Sequence, residues 1–317
     1  MSTDSTTKPT GTVPDGVLIG HLTPGTAAWE EARTGLTITA TEIAAVVGLS
    51  PWMSRFTLWH KKAGLPTPPF EMNPAIEWGN RLEDAVAQKW EDERPGHLAA
   101  PAGTWKHRER EWQRATPDRL IYPQPASEFD VPEQATGLLE VKTSPFGDEW
   151  GPSGAEDGVP VWYRCQVIWQ MDVLGLRRTD FAVLISGHDY REYTVEYDEA
   201  EARILRDAAE RFLDDVRQGN RPPIDGVTDT YQTIRVQPDG IEDRDVEIPA
   251  ELVARWDNAY SSLATASADL TQVRGEVLDL IGTGKRAVCE GRRIAYRTVR
   301  DGHTHSLHPY TSSKDAA

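Results

Sequence analysis

Apolar positions along this chain change period several times, and the changes divide it into elements. Residues 39–48 read as a helix capped by Thr39 or Thr41 and closed by Gly48. Ser50 and Pro51 predict a second helix through Phe56, Leu58 and Trp59 to Gly64, and residues 66–69 a proline-rich loop. Pro74 opens a long helix to about Arg94, with Leu82, Val86 and Trp90 on one stripe. Residues 103–122 are strand-like with turn signals, and 137–142 form a short strand. A loop rich in Gly and Pro, 144–160, leads into a helix over 161–174. Residues 180–186 and 192–197 read as strands around the turn Gly187-His188-Asp189, and Asp198 caps a helix that stops at Gly219.

This order predicts a mixed α/β (α+β) domain with a helical N-terminal part and a small mixed central sheet flanked by helices. Pro222 and Pro223 end it. Residues 248–281 then form one amphipathic helix closed by Gly282 and Gly284, and 288–299 a hairpin turning at Gly291. The expected division is a disordered tail over 1–20, a catalytic domain over 21–222, and a helix-plus-hairpin extension over 223–317.

Composition narrows the class. The 317 residues are 38% apolar and 26% charged, as in ordinary globular proteins. No apolar run approaches the roughly 18 residues of a membrane span. The first residues lack a signal layout, so the expectation is a cytoplasmic protein with no membrane partner. Two cysteines, Cys165 and Cys289, are too few for a disulfide framework or a four-cysteine cluster, and both read as small buried hydrophobes. The net charge of −16 argues against nonspecific coating of nucleic acid. A local basic strip is nevertheless present, in Lys106, His107, Arg108, Arg110, Arg114 and Arg119, and predicts a DNA channel there.

The candidate chemistry lies beside that strip. Pro117-Asp118 is followed, 21 residues further on, by Glu140-Val141-Lys142. On a strand, residues two apart share a face, so Glu140 and Lys142 project together while Leu139 and Val141 face the other way. A buried charged pair in an apolar strand needs a reason. A divalent metal supplies one: Asp118, Glu140 and a main-chain carbonyl, that of Val141, hold Mg²⁺ or Mn²⁺ in oxygen coordination, and Lys142 orients a water or stabilises developing phosphate charge. Glu83 on the preceding helix offers a third carboxylate. Tyr163, Gln166 and Gln170 share one face of the helix that follows.

Five blocks in order give the chain a resemblance to the YqaJ-like viral recombinase and lambda exonuclease family of the PD-(D/E)XK nucleases. They are Trp29 to Arg33 with residues 38–43; Trp78-Gly79-Asn80-Arg81-Leu82-Glu83; Thr116-Pro117-Asp118; Leu139-Glu140-Val141-Lys142; and Tyr163-Arg164-Cys165-Gln166-Val167. The resemblance covers about residues 25–217. It implies a restriction-endonuclease-like core, two divalent metals at Asp118 and Glu140, a catalytic Lys142, and Glu83 and Gln166 completing the site. It also implies a pocket for a DNA 5′-phosphate at Arg33, Thr41 and Thr116. Two of these positions depart from the usual serine while keeping its hydroxyl, and Arg119 stands where the family often has glycine. The implied activity is a phage-type exodeoxyribonuclease that resects linear duplex DNA from 5′-phosphorylated ends for a single-strand-annealing partner, as a trimer, in the cytoplasm of a bacterial host. The competing readings are an endonuclease or repair nuclease on the same fold, and a non-catalytic scaffold that binds DNA ends.

Overall fold

Local chemistry sets most element ends in the computed structural model, which describes residues 13–23, 25–123, 134–237 and 240–310. After β1 (Gly16–Gly20) and α1 (Ala27–Glu31) comes the short strand β2 (Ile38–Thr39), then a single turn, α2 (Ile43–Val46). The long helix expected over 39–48 is therefore reduced to one turn. Thr39 is held in a strand, and the Glu42 carboxylate accepts from the Thr39 N–H at 3.0 Å. Helix α3 (Arg55–Lys62) starts at Ser54, whose hydroxyl accepts from the Thr57 N–H at 3.0 Å, four residues later than Ser50 suggested. Helix α4 (Pro74–Asp92) starts as expected, with Asn73 capping and Pro74 in the first turn.

The remaining elements of this unit are β3 (His97–Pro101), β4 (Thr104–His107), β5 (Gln113–Ala115), β6 (Arg119–Pro123), β7 (Gly137–Ser144), α5 (Val161–Leu174), β8 (Arg178–Ile185), β9 (Asp189–Glu196), α6 (Glu199–Gln218) and α7 (Thr228–Arg235). Five strands form the central sheet in the order β3-β6-β7-β8-β9. Only β7 and β8 run parallel, because α5 crosses between them. The sheet is mixed and flanked by helices, as the pattern predicted. On one face, α4 packs Val86, Ala87 and Trp90 against Ile121, Leu139, Val141 and Ala182. The other face, with Leu138, Phe181 and Val183, joins the main core around α5 and α6. A four-stranded sheet, β1-β4-β5-β2, adds Ile38, Trp105 and Ala115 to that core.

Two expected boundaries shift. Residues 16–20, placed in a disordered tail, pair with β4; residues 1–12 lie outside the described residues. Residues 223–239 were assigned to the extension, yet the first compact unit runs to Asp239. The cause is α7, whose Thr233 hydroxyl meets that of Thr57 at 2.7 Å while the Asp229 carboxylate accepts from the Ser54 N–H at 2.7 Å.

The second unit, 240–317, contains α8 (Ala250–Ile281), β10 (Arg286–Cys289), β11 (Arg292–Arg300) and β12 (His303–Pro309). The hairpin at Gly291 forms, and a second one follows it. Asp301 and Gly302, both at positive φ, turn the chain into β12. Cys289 is exposed, contrary to expectation, whereas Cys165 is buried.

Candidate active site

The pairing of β6 with β7 places Arg119 opposite Leu139, which brings Asp118 beside Glu140. The Val141 main-chain N–H donates to Asp118 Oδ2 at 2.8 Å. Glu140 is 1% exposed, and both its oxygens are engaged: Oε1 accepts from Lys142 Nζ and Gln166 Nε2, and Oε2 from Gln170 Nε2 at 3.0 Å. Leu139 and Val141 lie in the cluster under α4, so the expected alternation of β7 holds. The shared face of α5 is also as expected. It aims both glutamines at Glu140, and Tyr163 turns its ring to Lys142, whose Nζ lies 5.2 Å from the ring centroid. Trp150 stacks on Tyr163 with centroids 5.4 Å apart.

Electrostatics at this cluster are strained. Burial, then the neighbouring Glu140 and Glu83 carboxylates, push Asp118 up to about 8, against the pull of Lys142 and the Val141 N–H. Burial alone would lower Lys142, but Glu140 and Asp118 outweigh it and hold its ammonium above the usual lysine range. A buried carboxylate, Glu140, and a half-buried one, Asp118, thus face one ammonium. That excess of negative charge, on hard oxygen donors beside the Val141 main chain, fits a divalent cation. Among the described residues no three or more Asp, Glu, His or Cys side chains form a metal-holding group.

Glu83 acts on Asp118 from the side of α4 and is itself held by an arginine. Its Oε1 accepts from the Arg119 guanidinium at 2.6 Å, and the same guanidinium reaches Asp84 and the Asp118 carbonyl oxygen. Arg119 was read as part of a DNA-facing basic strip; instead it ties α4 to the start of β6. Other members of the strip are committed too. Lys106 pairs with Glu111 at 2.8 Å, Arg110 with Asp172 at 3.1 Å, and His107 Nδ1 accepts from the Glu109 and Arg110 N–H groups, each at 3.0 Å. Four of the six residues expected to line a channel, Lys106, His107, Arg110 and Arg119, are thus engaged internally.

Arg33 and Thr41 come together. The guanidinium donates to Thr41 Oγ1 at 3.0 Å and lies 4.3 Å over the Trp29 ring. Burial lowers the Arg33 pKa, opposed by Glu42 and Glu30. Lys62 Nζ donates to the Arg33 carbonyl at 3.2 Å and pairs with buried Glu42 at 2.9 Å, a support that sequence reading did not identify. The Thr116 hydroxyl meets that of Thr104 at 3.1 Å. Parallel pairing sets Thr39 against Arg114, so Thr41 and Thr116 each lie two residues beyond one rung of the ladder. The helix that follows Thr41 is only the one-turn α2.

Residues 28–181 match the model of the YqaJ-like viral recombinase domain. The chain is 29% identical over 201 residues to the uncharacterized protein YqaJ of Bacillus subtilis (strain 168), covering 62% of this chain and spanning 58% of that relative's length. Among solved structures it is similar to an alkaline exonuclease (LHK-Exo) from Laribacter hongkongensis, at 20% identity and a TM-score of 0.44 over 61% of this chain and 94% of that one. A phage related exonuclease from Haemophilus somnus 129PT aligns at 16% identity and a TM-score of 0.38, over 58% and 96%. Over residues 28–181, then, the chain is similar to the YqaJ-like viral recombinase domain.

Proposed function

We propose that this chain is a metal-dependent deoxyribonuclease that resects linear duplex DNA from its ends. The observation that carries the reading is the cluster of Asp118, Glu140 and Lys142, with two carboxylates, one of them fully buried, against one ammonium. Asp118, Glu140 and the Val141 carbonyl would hold Mg²⁺ or Mn²⁺, two per site. When bound, the cations neutralise the scissile phosphate and acidify water. Lys142 supplies a fixed positive charge to the phosphate as negative charge builds on it. Gln166 and Gln170 hold the Glu140 carboxylate in one orientation. Glu83, kept close by Arg119, adds negative potential from the side of α4.

Arg33, with Thr41 and Thr116, is assigned to the 5′-phosphate of the DNA end. A guanidinium fork with hydroxyl donors suits a phosphate, and the tie from Lys62 fixes the backbone that carries Arg33. The single strand left behind would pass to a strand-annealing partner, in keeping with the viral recombinase domain.

The test is digestion of duplex DNA with Mg²⁺ or Mn²⁺. Linear molecules with 5′-phosphate are expected to be degraded, 5′-hydroxyl ends more slowly, and closed circles not at all. Intact linear DNA in both metals, or degradation that survives Asp118→Ala, overturns the proposal. Cleavage of closed circles assigns the site to an endonuclease.

A further inference from the structure

Two arginines of the basic strip are left without an acid. Among the described residues, neither Arg108 nor Arg114 makes an ion pair or a side-chain hydrogen bond. Arg108 is exposed, and water serves it. Arg114 is half-buried, and its Nε is buried with no partner. Burial lowers its pKa, opposed by Glu111. That carboxylate is taken by Lys106, which stands opposite Arg114 across the pairing of β4 with β5. A guanidinium held away from water without a counter-charge costs stability. The vacancy is notable in a chain with 50 acidic residues to 34 basic ones, where an acid is the commoner neighbour.

The place of Arg114 gives its charge a use. On β5 the flanking Gln113 and Ala115 are buried, Ala115 in the main core, so Arg114 and Thr116 share the opposite face. Thr39 stands opposite Arg114 on β2, and Thr41 lies two residues further on. Arg114 and Thr39 therefore form one row, and Thr116 and Thr41 the next, two residues or about 6.6 Å along the chain. The second row is the one assigned to the 5′-terminal phosphate, and there the Arg33 guanidinium already donates to Thr41. Arg114 lies one step off that phosphate.

We propose that Arg114 donates to a backbone phosphate of the bound duplex other than the 5′-terminal one; this rests on the reading of the chain as a nuclease acting on DNA ends. A phosphate supplies what the folded chain withholds, a negative charge with acceptors for the guanidinium fork. The contact carries no end chemistry and no base sequence. It adds affinity and fixes the register of the duplex on the site, while Arg33 reads the end.

Fluorescence anisotropy of the full-length protein on a labelled duplex tests this, with EDTA present so that nothing is cut. Affinity is followed between about 50 and 200 mM salt. The slope of log affinity against log salt should be shallower for Arg114→Ala than for the wild type by about one, the counterion released from one phosphate. At the low-salt end Arg114→Ala should bind about 10-fold more weakly, on 5′-phosphate and 5′-hydroxyl duplex alike. Arg114→Lys keeps a point charge without the fork, so it should restore the slope and only part of the affinity. An Arg114→Ala slope equal to that of the wild type overturns the proposal, as does wild-type protein that binds no duplex. So does a lysine variant that behaves as the alanine one does, which marks a merely structural arginine. A loss confined to 5′-phosphorylated duplex overturns it too, by moving Arg114 to the terminal phosphate. The slope is read without cleavage, so it decides Arg114 even where digestion fails and the nuclease reading falls.

Discussion

The Asp118 carboxylate accepts a hydrogen bond from the main-chain N–H of Val141 at 2.8 Å, so one strand's backbone fixes the other strand's acid. That bond keeps Asp118 against Glu140 although like charges repel. Burial and Glu140 together push Asp118 up to about 8. A cation bound there, as proposed, would offset that repulsion.

Replacing Asp118 with asparagine should separate these two roles. The amide oxygen still accepts from Val141 while the charge goes. Without metal, Asp118→Asn should melt at or above the wild type, by a few degrees, since about 1 kcal/mol shifts Tm by a few degrees in a chain of this size. Added Mg²⁺ should raise the wild-type Tm and leave the variant unmoved. Nuclease activity should fall by at least about 100-fold. Differential scanning fluorimetry with and without Mg²⁺, beside a digestion assay, checks all three; an equal Mg²⁺ shift in both proteins would sink the assignment.

Gln170 is buried and donates to Glu140 Oε2 at 3.0 Å. A hydrogen bond to a charged group contributes about 1.5–3 kcal/mol. Gln170→Leu is therefore expected to lower kcat by about 10-fold or more with little change in KM, because it loosens Glu140 without touching DNA. Steady-state kinetics on a labelled duplex decide it.

Arg33→Ala should act on the DNA end. The expected result is a KM raised about 10-fold for 5′-phosphorylated duplex and unchanged for 5′-hydroxyl duplex, erasing the preference between them. Equal losses on both ends would remove Arg33 from phosphate recognition.

His107 gives a pH dependence of stability. Burial, then the adjacent Arg110, lower its pKa from the usual 6.5. The unfolded chain therefore takes up the proton first, and stability contributed by neutral His107 is lost as pH falls below about 6.5. The turn works in the same direction, since Nδ1 accepts two main-chain N–H bonds that protonation there would forbid. His107→Asn keeps an acceptor there and does not titrate. Its Tm should drop less than that of the wild type between pH 7.5 and 5.5; parallel drops would contradict the assignment.

Elements with strong local signals were legible in the sequence. Asn73-Pro74 starts α4, Gly175 and Gly219 close α5 and α6 with positive φ, and the alternation of β7 separates Glu140 from Val141. Asp301-Gly302, which makes the last hairpin, is a local signal outside the expected elements. Others were not local at all. Residues 16–20, Gly-Val-Leu-Ile-Gly, end a polar leader with a short apolar run, and pairing with the edge of β4 makes that run a strand. The α7 segment is short, and it belongs to the first unit because its hydroxyls meet those of α3 and its N-cap.

The sequence by itself determined which residue types are available to the site and which strand face carries them, because period-two alternation fixes direction from neighbours alone. It also determined the glutamine face of α5. Only the tertiary structure decided which charges are free. Arg119 looked like a DNA contact and is a strut between Glu83, Asp84 and the Asp118 carbonyl. Lys62, in the last turn of α3, is buried against Glu42 and donates to the Arg33 carbonyl. Ion pairing acts over a few ångströms between segments that lie tens of residues apart in the chain. The partner that neutralises a given arginine or lysine is therefore set by packing, and no spacing rule along the chain reveals it.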